Sequence, residues 1–295
     1  MSNLAGIALA VLAALGLSIA VICIRIGTDD GRSVDALVVV LLTNIAILVP
    51  VTLALQNPLS GLTRTSLVSF AMAGLVGTFV GRAFFYASIE RVGASRSEPI
   101  RASQPIYATL AAVIVLGEVL TPEHFAGILL IVLGVGAISW ETASGSVQQT
   151  GRSYDLAFPF VAAFFYGIEP IFAKIGFATG TSVLVGLSIK TVVATAGFLA
   201  YLRWRNALPT STELASSSLR WYVGAGIANT VFLLGYYAAL EIAPVVLVVP
   251  IIQISPLLVA VLSFVFLKRL ETVTVPLILS AVVVVVGGIL VSIHG

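Results

Sequence analysis

The sequence predicts an all-α integral membrane protein with ten transmembrane helices, arranged as two inverted repeats of five helices each. Hydrophobic residues make up 59% of the chain and charged residues 9%, which is about a third of the charged share of a soluble protein. Apolar runs of roughly 20 residues recur along the whole length. Finally, two stretches 151 residues apart are versions of each other. A single soluble core could not bury this much apolar surface.

Ten apolar runs are each long enough to cross a bilayer as a helix, in which the segment satisfies its own backbone hydrogen bonds. They lie near Leu4–Ile26, Asp35–Leu55, Leu67–Ile89, Ala94–Leu116, His124–Trp140, Leu156–Lys174, Val183–Leu202, Trp221–Leu240, Val245–Leu267 and Val275–Ile293. Prolines inside the fourth and ninth runs predict kinks there.

The internal repeat is clearest after the third and eighth runs. Residues 86–105 read YASIERVGASRSEPIRASQP and residues 237–256 read YAALEIAPVVLVVPIIQISP. The same offset pairs Gly16 with Gly167. We therefore predict a first five-helix repeat over residues 1–140, a linker over 141–154 and a second repeat over 155–295. Five spans is an odd number, so the two repeats must be inverted in the membrane.

The basic residues predict the orientation. The loops that join helices 1–2, 3–4, 5–6, 7–8 and 9–10 carry Arg25, Arg32, Arg91, Arg96, Arg152, Arg203, Arg205, Arg220, Lys268 and Arg269. The other loops carry only Arg64. Short basic loops stay in the cytoplasm, so both termini are predicted outside, in a multi-pass protein of the cell membrane. The opening segment has no basic start and is not expected to be a signal peptide.

Several function classes are excluded by what the sequence lacks. The single Cys23 rules out an internal disulfide, and two histidines in different halves suggest no metal site. The chain has neither a phosphate-binding G-x-x-x-x-G-K-[ST] loop nor an H-E-x-x-H sequence. A formal net charge of +2 is too small to suggest a nucleic-acid partner. We expect no cofactor, and no enzyme activity.

Three sequence elements resemble a known family. The tracts after the third helix of each half lead to Gln104-Pro105 and Ser255-Pro256, and the fourth run ends in Gly117-Glu118. A glycine-spaced closing helix follows. Together these resemble the EamA-type, ten-helix branch of the drug/metabolite transporter superfamily, over nearly the whole chain. The second half departs from the pattern, because Lys268-Arg269 stands where the first half has Gly117-Glu118, and the first helix lacks the family's Trp-Gly start.

The resemblance implies a secondary transporter or exporter with a central cavity between the halves. The first to fourth and sixth to ninth helices would line it, with the fifth and tenth at the back. Substrates in the superfamily include amino acids, nucleotide sugars, sugar phosphates and drugs, so the resemblance alone selects none.

Ionisable residues inside the apolar runs are the strongest candidates for a substrate site, because such groups are costly in lipid and usually face the bundle interior. They are Arg82, Glu98, Arg101, Glu169 and Lys190. Their equivalents in the other repeat are mostly apolar, which favours an asymmetric site. Glu98 and Arg101 are three residues apart and share a helical face, so a structural ion pair is the alternative for these two.

Glu169 precedes Pro170, which predicts a locally disturbed helix. A carboxylate there could carry a proton or bind a substrate amine. The alternative is that Glu169 is a structural partner of Lys190 or Lys174.

Neutral polar and aromatic residues are further candidates. Gln104, Gln253 and Asn229 could bind substrate or, like Asn44, could hydrogen-bond between helices. Tyr86, Tyr166 and Tyr237 could line a cavity, although membrane-helix aromatics are often core or interface residues. Tyr107 and Tyr236 are similar. Gly77 and Gly81 form G-x-x-x-G, which predicts close helix packing.

These features favour a secondary active transporter or exporter of a small polar organic metabolite by alternating access. The modest excess of positive charge favours an amino acid or an organic or phosphorylated anion over a lipophilic cation. A proton or a counter-substrate would drive it, and membrane lipid would surround it. A channel or a lipid scramblase is the alternative, with an intramembrane enzyme behind these.

Overall fold

The computed structural model describes residues 2–28, 33–57, 61–92, 97, 100–143, 153–210, 218–266 and 275–293. Within these ranges the regular secondary structure is all helical, in agreement with the predicted all-α fold class. The predicted linker 141–154 falls mostly outside the described residues, as do Glu98, Lys268 and Arg269.

Among the residues that the structure describes, the elements of the first part of the chain are α-helices and two π-helical segments. They are α1 (Ser2–Gly27), α2 (Ser33–Leu55), α3 (Arg64–Met72), the first π segment (Ala73–Gly81), α4 (Arg82–Val92), α5 (Gln104–Ala111), the second π segment (Ala112–Leu116) and α6 (Pro122–Ala143). The segments from α3 to α4 follow one another without a gap and form the third span.

In the described residues of the second part, further α-helices follow a short 3₁₀ turn. The turn is Ser153–Leu156, and the helices are α7 (Ala157–Phe177), α8 (Val183–Trp204), α9 (Leu219–Ile242), α10 (Val245–Ile252), α11 (Ser255–Phe266) and α12 (Val275–Ile293).

Six helical stretches of the described chain are long and apolar enough to cross a bilayer. They are Leu4–Gly27, Val34–Leu55, Arg64–Ser88, Ala157–Phe177, Val183–Trp204 and Leu219–Ile242. Four shorter apolar helices complete the set: Gln104–Leu116, Pro122–Ala137, Val245–Val259 and Val282–Val291. Large apolar side chains cover the outer surface, among them Ile114 at 79% exposure and Leu133 at 66%. Such a surface is stable in contact with lipid, whereas its exposure to water would be unfavourable.

The first helix of the chain packs lengthwise against α9, and the two run antiparallel. Gly6 lies beside Ala243, Gly16 beside Phe232 and Gly27 beside Tyr222. The Tyr222 hydroxyl closes one end by donating to the Gly27 carbonyl at 3.0 Å. Small residues at these crossings let the two backbones approach closely.

The third span packs against α7 in the same antiparallel manner. Phe70 contacts Gly176, Gly77 contacts Glu169 and Gly81 contacts Tyr166. The α1–α9 pair and this pair are equivalent, since each joins the first helix of one repeat to the third span of the other. α6 and α12, the last helices of the two repeats, also pack together.

The fourth and ninth spans are interrupted at equivalent places. Turns occupy Ala102–Ser103 and Gln253–Ile254, and these turns are 151 residues apart in the sequence. Pro105 and Pro256 stand in the first turns of the helices that follow, where a missing N–H costs little. The kinks predicted from the prolines are therefore true breaks.

Candidate functional site

A buried ion pair lies near the middle of α7 and in the first half of α8. The Lys190 Nζ is 2.5 Å from the Glu169 Oε1, and the two residues are only 4% and 7% exposed. The Tyr237 hydroxyl of α9 donates to the same oxygen at 2.9 Å. Of the two partners that the sequence left open for Glu169, the structure selects Lys190. Burial without such pairing would cost several kcal/mol.

Tyr237 connects this cluster to a group of packed aromatic side chains. The Lys190 ammonium lies 4.5 Å from the centroid of the Tyr237 ring, within cation–π range. Tyr237 in turn packs edge-on against Phe177 and Tyr236, and Tyr236 stacks on Phe232. Tyr237 is fully buried. These rings exclude water from the ion pair, and low dielectric strengthens the attraction between its charges.

The first π segment makes room for the ion pair. Gly74 faces the backbone of Lys190, Gly77 faces the side chain of Glu169, and Gly81 faces the ring of Tyr166. The G-x-x-x-G pair thus packs helices closely, as predicted. It packs them directly against the candidate residues. π-helical segments are rare and are frequently found at functional sites.

A second group, more basic in character, begins where this π segment ends. Arg82 is the first residue of α4 and is half-buried. Its guanidinium interacts electrostatically with the hydroxyls of Tyr86 and Tyr166. Arg101 interacts with the same Tyr166, and its guanidinium lies 5.3 Å from the centroid of the Phe85 ring. Glu98, a predicted substrate residue and the alternative ion-pair partner of Arg101, lies outside the described residues.

Pro170 links the two groups in an unexpected way. The sequence predicted a disturbed helix at Glu169-Pro170, yet α7 continues through it. Proline has no N–H to give to the carbonyl four residues earlier, which is that of Tyr166. The Gln104 Nε2 donates to this carbonyl instead, at 3.4 Å. The side chain from the fourth span therefore compensates the bond that proline removes.

The remaining polar candidates differ in the hydrogen bonds that their side chains form. The Asn44 and Asn229 amides hydrogen-bond at 2.9 Å between α2 and α9, and Thr230 joins them at 3.0 Å, which matches the interhelical alternative. Gln253 lies in the turn that interrupts the ninth span and is 6% exposed. Its Nε2 has no hydrogen-bond partner among the described residues.

Comparison with known proteins decides the family. A model of the EamA-like transporter family matches residues 4–140 and 154–293, which is almost the whole chain. The chain belongs to this family. No functionally curated protein matches the sequence. A known crystal structure aligns with a TM-score of 0.76 and 14% sequence identity, over 96% of this chain and 94% of the solved one, which shows a shared fold.

Family membership and the apolar helices together make this EamA-family chain a multi-pass membrane transporter. The resemblance inferred from the sequence is confirmed by the match over two repeats. The family consists of transporters, in agreement with the expectation that the chain is not an enzyme.

Sequence reasoning did not anticipate two contacts of this EamA-family chain, both between its repeats. The Glu118 carboxylate accepts hydrogen bonds from the backbone N–H groups of Val245 and Val246, both at 2.9 Å. It thereby caps α10, whose own N-cap residue, Pro244, offers no side-chain bond. Gly117, with φ of 68°, turns the chain so that Glu118 reaches the cap. The left-handed glycine was the available signal.

The second contact joins α1 to the start of α11. The Ser18 and Ser255 hydroxyls lie 3.0 Å apart, and both residues are buried. Ser18 stands 151 residues before Glu169, and Ser255 stands 151 residues after Gln104. The offset was the available signal, although it could not show that the hydroxyls meet.

Proposed function

We propose that this EamA-family protein is a secondary active transporter of a small polar organic solute that carries a carboxylate or phosphate group, such as an amino acid or a phosphorylated metabolite. The observation that carries this proposal is the buried Glu169–Lys190–Tyr237 cluster with Arg82 next to it. Buried charges in a membrane helix mark substrate or ion pathways more often than packing.

The charge balance favours an anionic group on the solute. The proposed set contains Arg82, Arg101 and Lys190 against Glu98 and Glu169, which is an excess of one positive charge. A guanidinium presents a planar fork of donors that matches carboxylate and phosphate. A zwitterion would suit both signs, since Glu169 could receive its amine. Proton coupling through Glu169, or exchange against a counter-substrate, would drive transport.

The proposed substrate-contacting set draws on both repeats. Its members are Arg82, Tyr86, Glu98, Arg101, Gln104, Tyr166, Glu169, Lys190, Asn229, Tyr237 and Gln253. Glu98 joins the set from its sequence position alone. The other ten belong to the third, fourth, sixth, seventh, eighth and ninth spans, so a solute bound among them would contact both repeats.

We further infer that ten spans form two inverted halves that rock to give alternating access. Consecutive spans alternate in direction, so the first and third spans of one repeat run the same way. α9 is the third span of the second repeat, and it lies antiparallel to α1. It therefore runs opposite to the third span of the first repeat, as inversion requires.

The orientation remains a proposal from charge. The loops that carry the basic residues would be cytoplasmic in the cell membrane, and both termini would be outside. A tag at the C-terminus should then react with an impermeant label in intact cells, whereas labelling only after permeabilisation would reverse the assignment.

A ligand screen tests the substrate class. Purified protein is heated with amino acids, organic acids and phosphorylated metabolites, because a ligand at 100 times its Kd stabilises the folded state by about 2.7 kcal/mol. Each stabilising compound is then measured for counterflow in liposomes. We expect at least one anionic or zwitterionic compound to raise Tm and to exchange with saturation. Flux that neither saturates nor counter-exchanges would favour a channel.

A further inference from the structure

Gly77 occupies an unusual place opposite the buried carboxylate. It lies in the π segment Ala73–Gly81 and is buried. A Cβ built on it would lie 2.5 Å from the Cβ and Cγ atoms of Glu169 and 2.6 Å from its Oε2. Real Cβ atoms essentially never approach other atoms so closely. Any side chain at position 77 would therefore displace Glu169 or separate the two helices.

Gly81 offers a natural contrast on the same helix. A Cβ there would lie 3.3 Å from the Tyr166 ring, a distance that small adjustments can accommodate. Both glycines face α7, about one turn apart. The severe restriction therefore holds at Gly77, opposite the Glu169 side chain, and at Gly74, where a Cβ would lie even closer to the Lys190 carbonyl oxygen, but not at Gly81. Of these three glycines, Gly77 is the one that faces the carboxylate.

The two oxygens of Glu169 have different surroundings. Oε1 receives Lys190 and Tyr237, which both belong to the second repeat, as does Glu169. Oε2 lies towards Gly77, which belongs to the first repeat. The ion pair is internal to one repeat, and Gly77 of the other repeat lies against the Oε2 side of its carboxylate.

We propose that Gly77 is a positioning residue for Glu169: its lack of a side chain lets the third span close over the carboxylate and hold it against Lys190. Separation of the repeats would uncover Oε2 while the Lys190 contact stays within its own repeat. This inference rests on the proposed transport site, because it assigns Gly77 the task of controlling access to Glu169.

The test uses dicyclohexylcarbodiimide, a membrane-permeant reagent that adds to protonated carboxyl groups. Labelling of Glu169 is followed by mass spectrometry in wild type, Gly77→Ala and Gly81→Ala, with Glu118 as the internal reference. We expect Gly77→Ala to label about tenfold faster, because the added methyl group either displaces the Glu169 side chain or separates the two helices, and both changes give the reagent access to the carboxyl group. Gly81→Ala should label like wild type. Equal labelling in all three proteins would overturn the proposal.

A second measurement covers the case in which Gly77→Ala does not fold. The same change is introduced into a Glu169→Gly/Lys190→Met background, where the opposing side chain is gone and no charge is left unpaired. Tm should there stay close to that of the parent. A Gly77→Ala penalty that is equally large in both backgrounds would show that Glu169 is not what Gly77 accommodates, and would also overturn the proposal.

Transport measurements separate this inference from the proposed function. Faster labelling together with normal transport in Gly77→Ala would uphold the positioning role and remove Glu169 from the transport site. Lost transport with unchanged labelling would overturn the positioning role and leave the transport site intact.

Discussion

The two repeats share a scaffold and differ in chemistry. Residues 151 positions apart include the breaks in the fourth and ninth spans and the tyrosines Tyr86 and Tyr237. The residues equivalent to Glu169 and Lys190 are, by contrast, Ser18 and Val39. A duplicated fold has thus retained features that shape its backbone, while the Glu169–Lys190 pair occurs only at the second-repeat members of these two equivalent positions.

The equivalent residues Ser18 and Glu169 also differ in the interactions that they form. In the first repeat, Ser18 joins Ser255 through a hydroxyl contact, which is a neutral link between helices. In the second, Glu169 forms an ion pair with Lys190, and Tyr237 contacts both residues. Neutral interhelical hydrogen bonds in membranes contribute about 0.6 kcal/mol, whereas breaking a buried ion pair costs about 3–5 kcal/mol. Disrupting the Glu169–Lys190 pair should therefore destabilise the protein more than disrupting the Ser18–Ser255 contact.

The largest expected effect comes from removing one charge of the pair. Lys190→Met leaves the Glu169 carboxylate buried without a cation and should lower the free energy of unfolding by about 3–5 kcal/mol. Tm of the purified protein measures this. Lys174→Met is the matched control, because Lys174 is half-buried near the end of α7. Equal losses in the two variants would contradict the special role of the pair.

Arg82 is expected to matter for transport more than for folding. Arg82→Ala should reduce counterflow about 10- to 100-fold, because it removes a hydrogen bond between charged groups, and such a loss corresponds to about that factor. The variant should still reach the membrane. Arg82→Lys should restore counterflow only in part, since lysine lacks the planar fork. Arg91→Ala serves as a control because Arg91 is exposed and stacks on Phe158. Normal counterflow in Arg82→Ala would remove it from the site.

Removing the cap that Glu118 provides to α10 should have a smaller effect, on stability. Glu118→Ala removes two hydrogen bonds at the N-terminus of α10 and should cost about 1–2 kcal/mol. Glu241→Ala, on an exposed residue, should change Tm little. If the two variants have the same Tm, the hydrogen bonds from Glu118 do not stabilise the contact between the repeats.

The smallest effect is expected at Gln104. Gln104→Leu removes the donor to the Tyr166 carbonyl and should cost about 1 kcal/mol. Ser255 is the equivalent residue in the second repeat, so the loss of stability in Ser255→Ala serves as the comparison. Adding Pro170→Ala to Gln104→Leu restores the N–H within α7, so the loss from Gln104→Leu should shrink. An unchanged loss would mean that Gln104 does not compensate the proline.

The sequence predicts the scaffold well because apolar runs and a fixed offset are local, periodic signals. It also singles out Glu169 and Lys190, since any ionisable residue in such a run is conspicuous. Their pairing was one of two alternatives, because which side chains meet depends on how α7 and α8 pack. Gly77 looked like ordinary packing, and Gly117 could mark a turn before Glu118 without showing that the carboxylate reaches α10. Contacts between distant helices carry no local signal.

Tertiary contacts also explain the one local prediction that differs from the structure. Pro170 indicated a disturbed helix, and α7 is continuous. It packs against the third span and α5, and Gln104 donates to the carbonyl that proline leaves unpaired. Local propensity therefore yielded to packing.

Transport by the Glu169→Gln/Lys190→Met double variant tests the central claim most directly. Both charges are removed, so no buried charge is left unpaired, and stability should recover relative to Lys190→Met. If the pair belongs to the transport site, the double variant should fold and fail in counterflow of the solute found by the ligand screen. Counterflow at the wild-type rate would show that the pair is structural and that solute binds elsewhere.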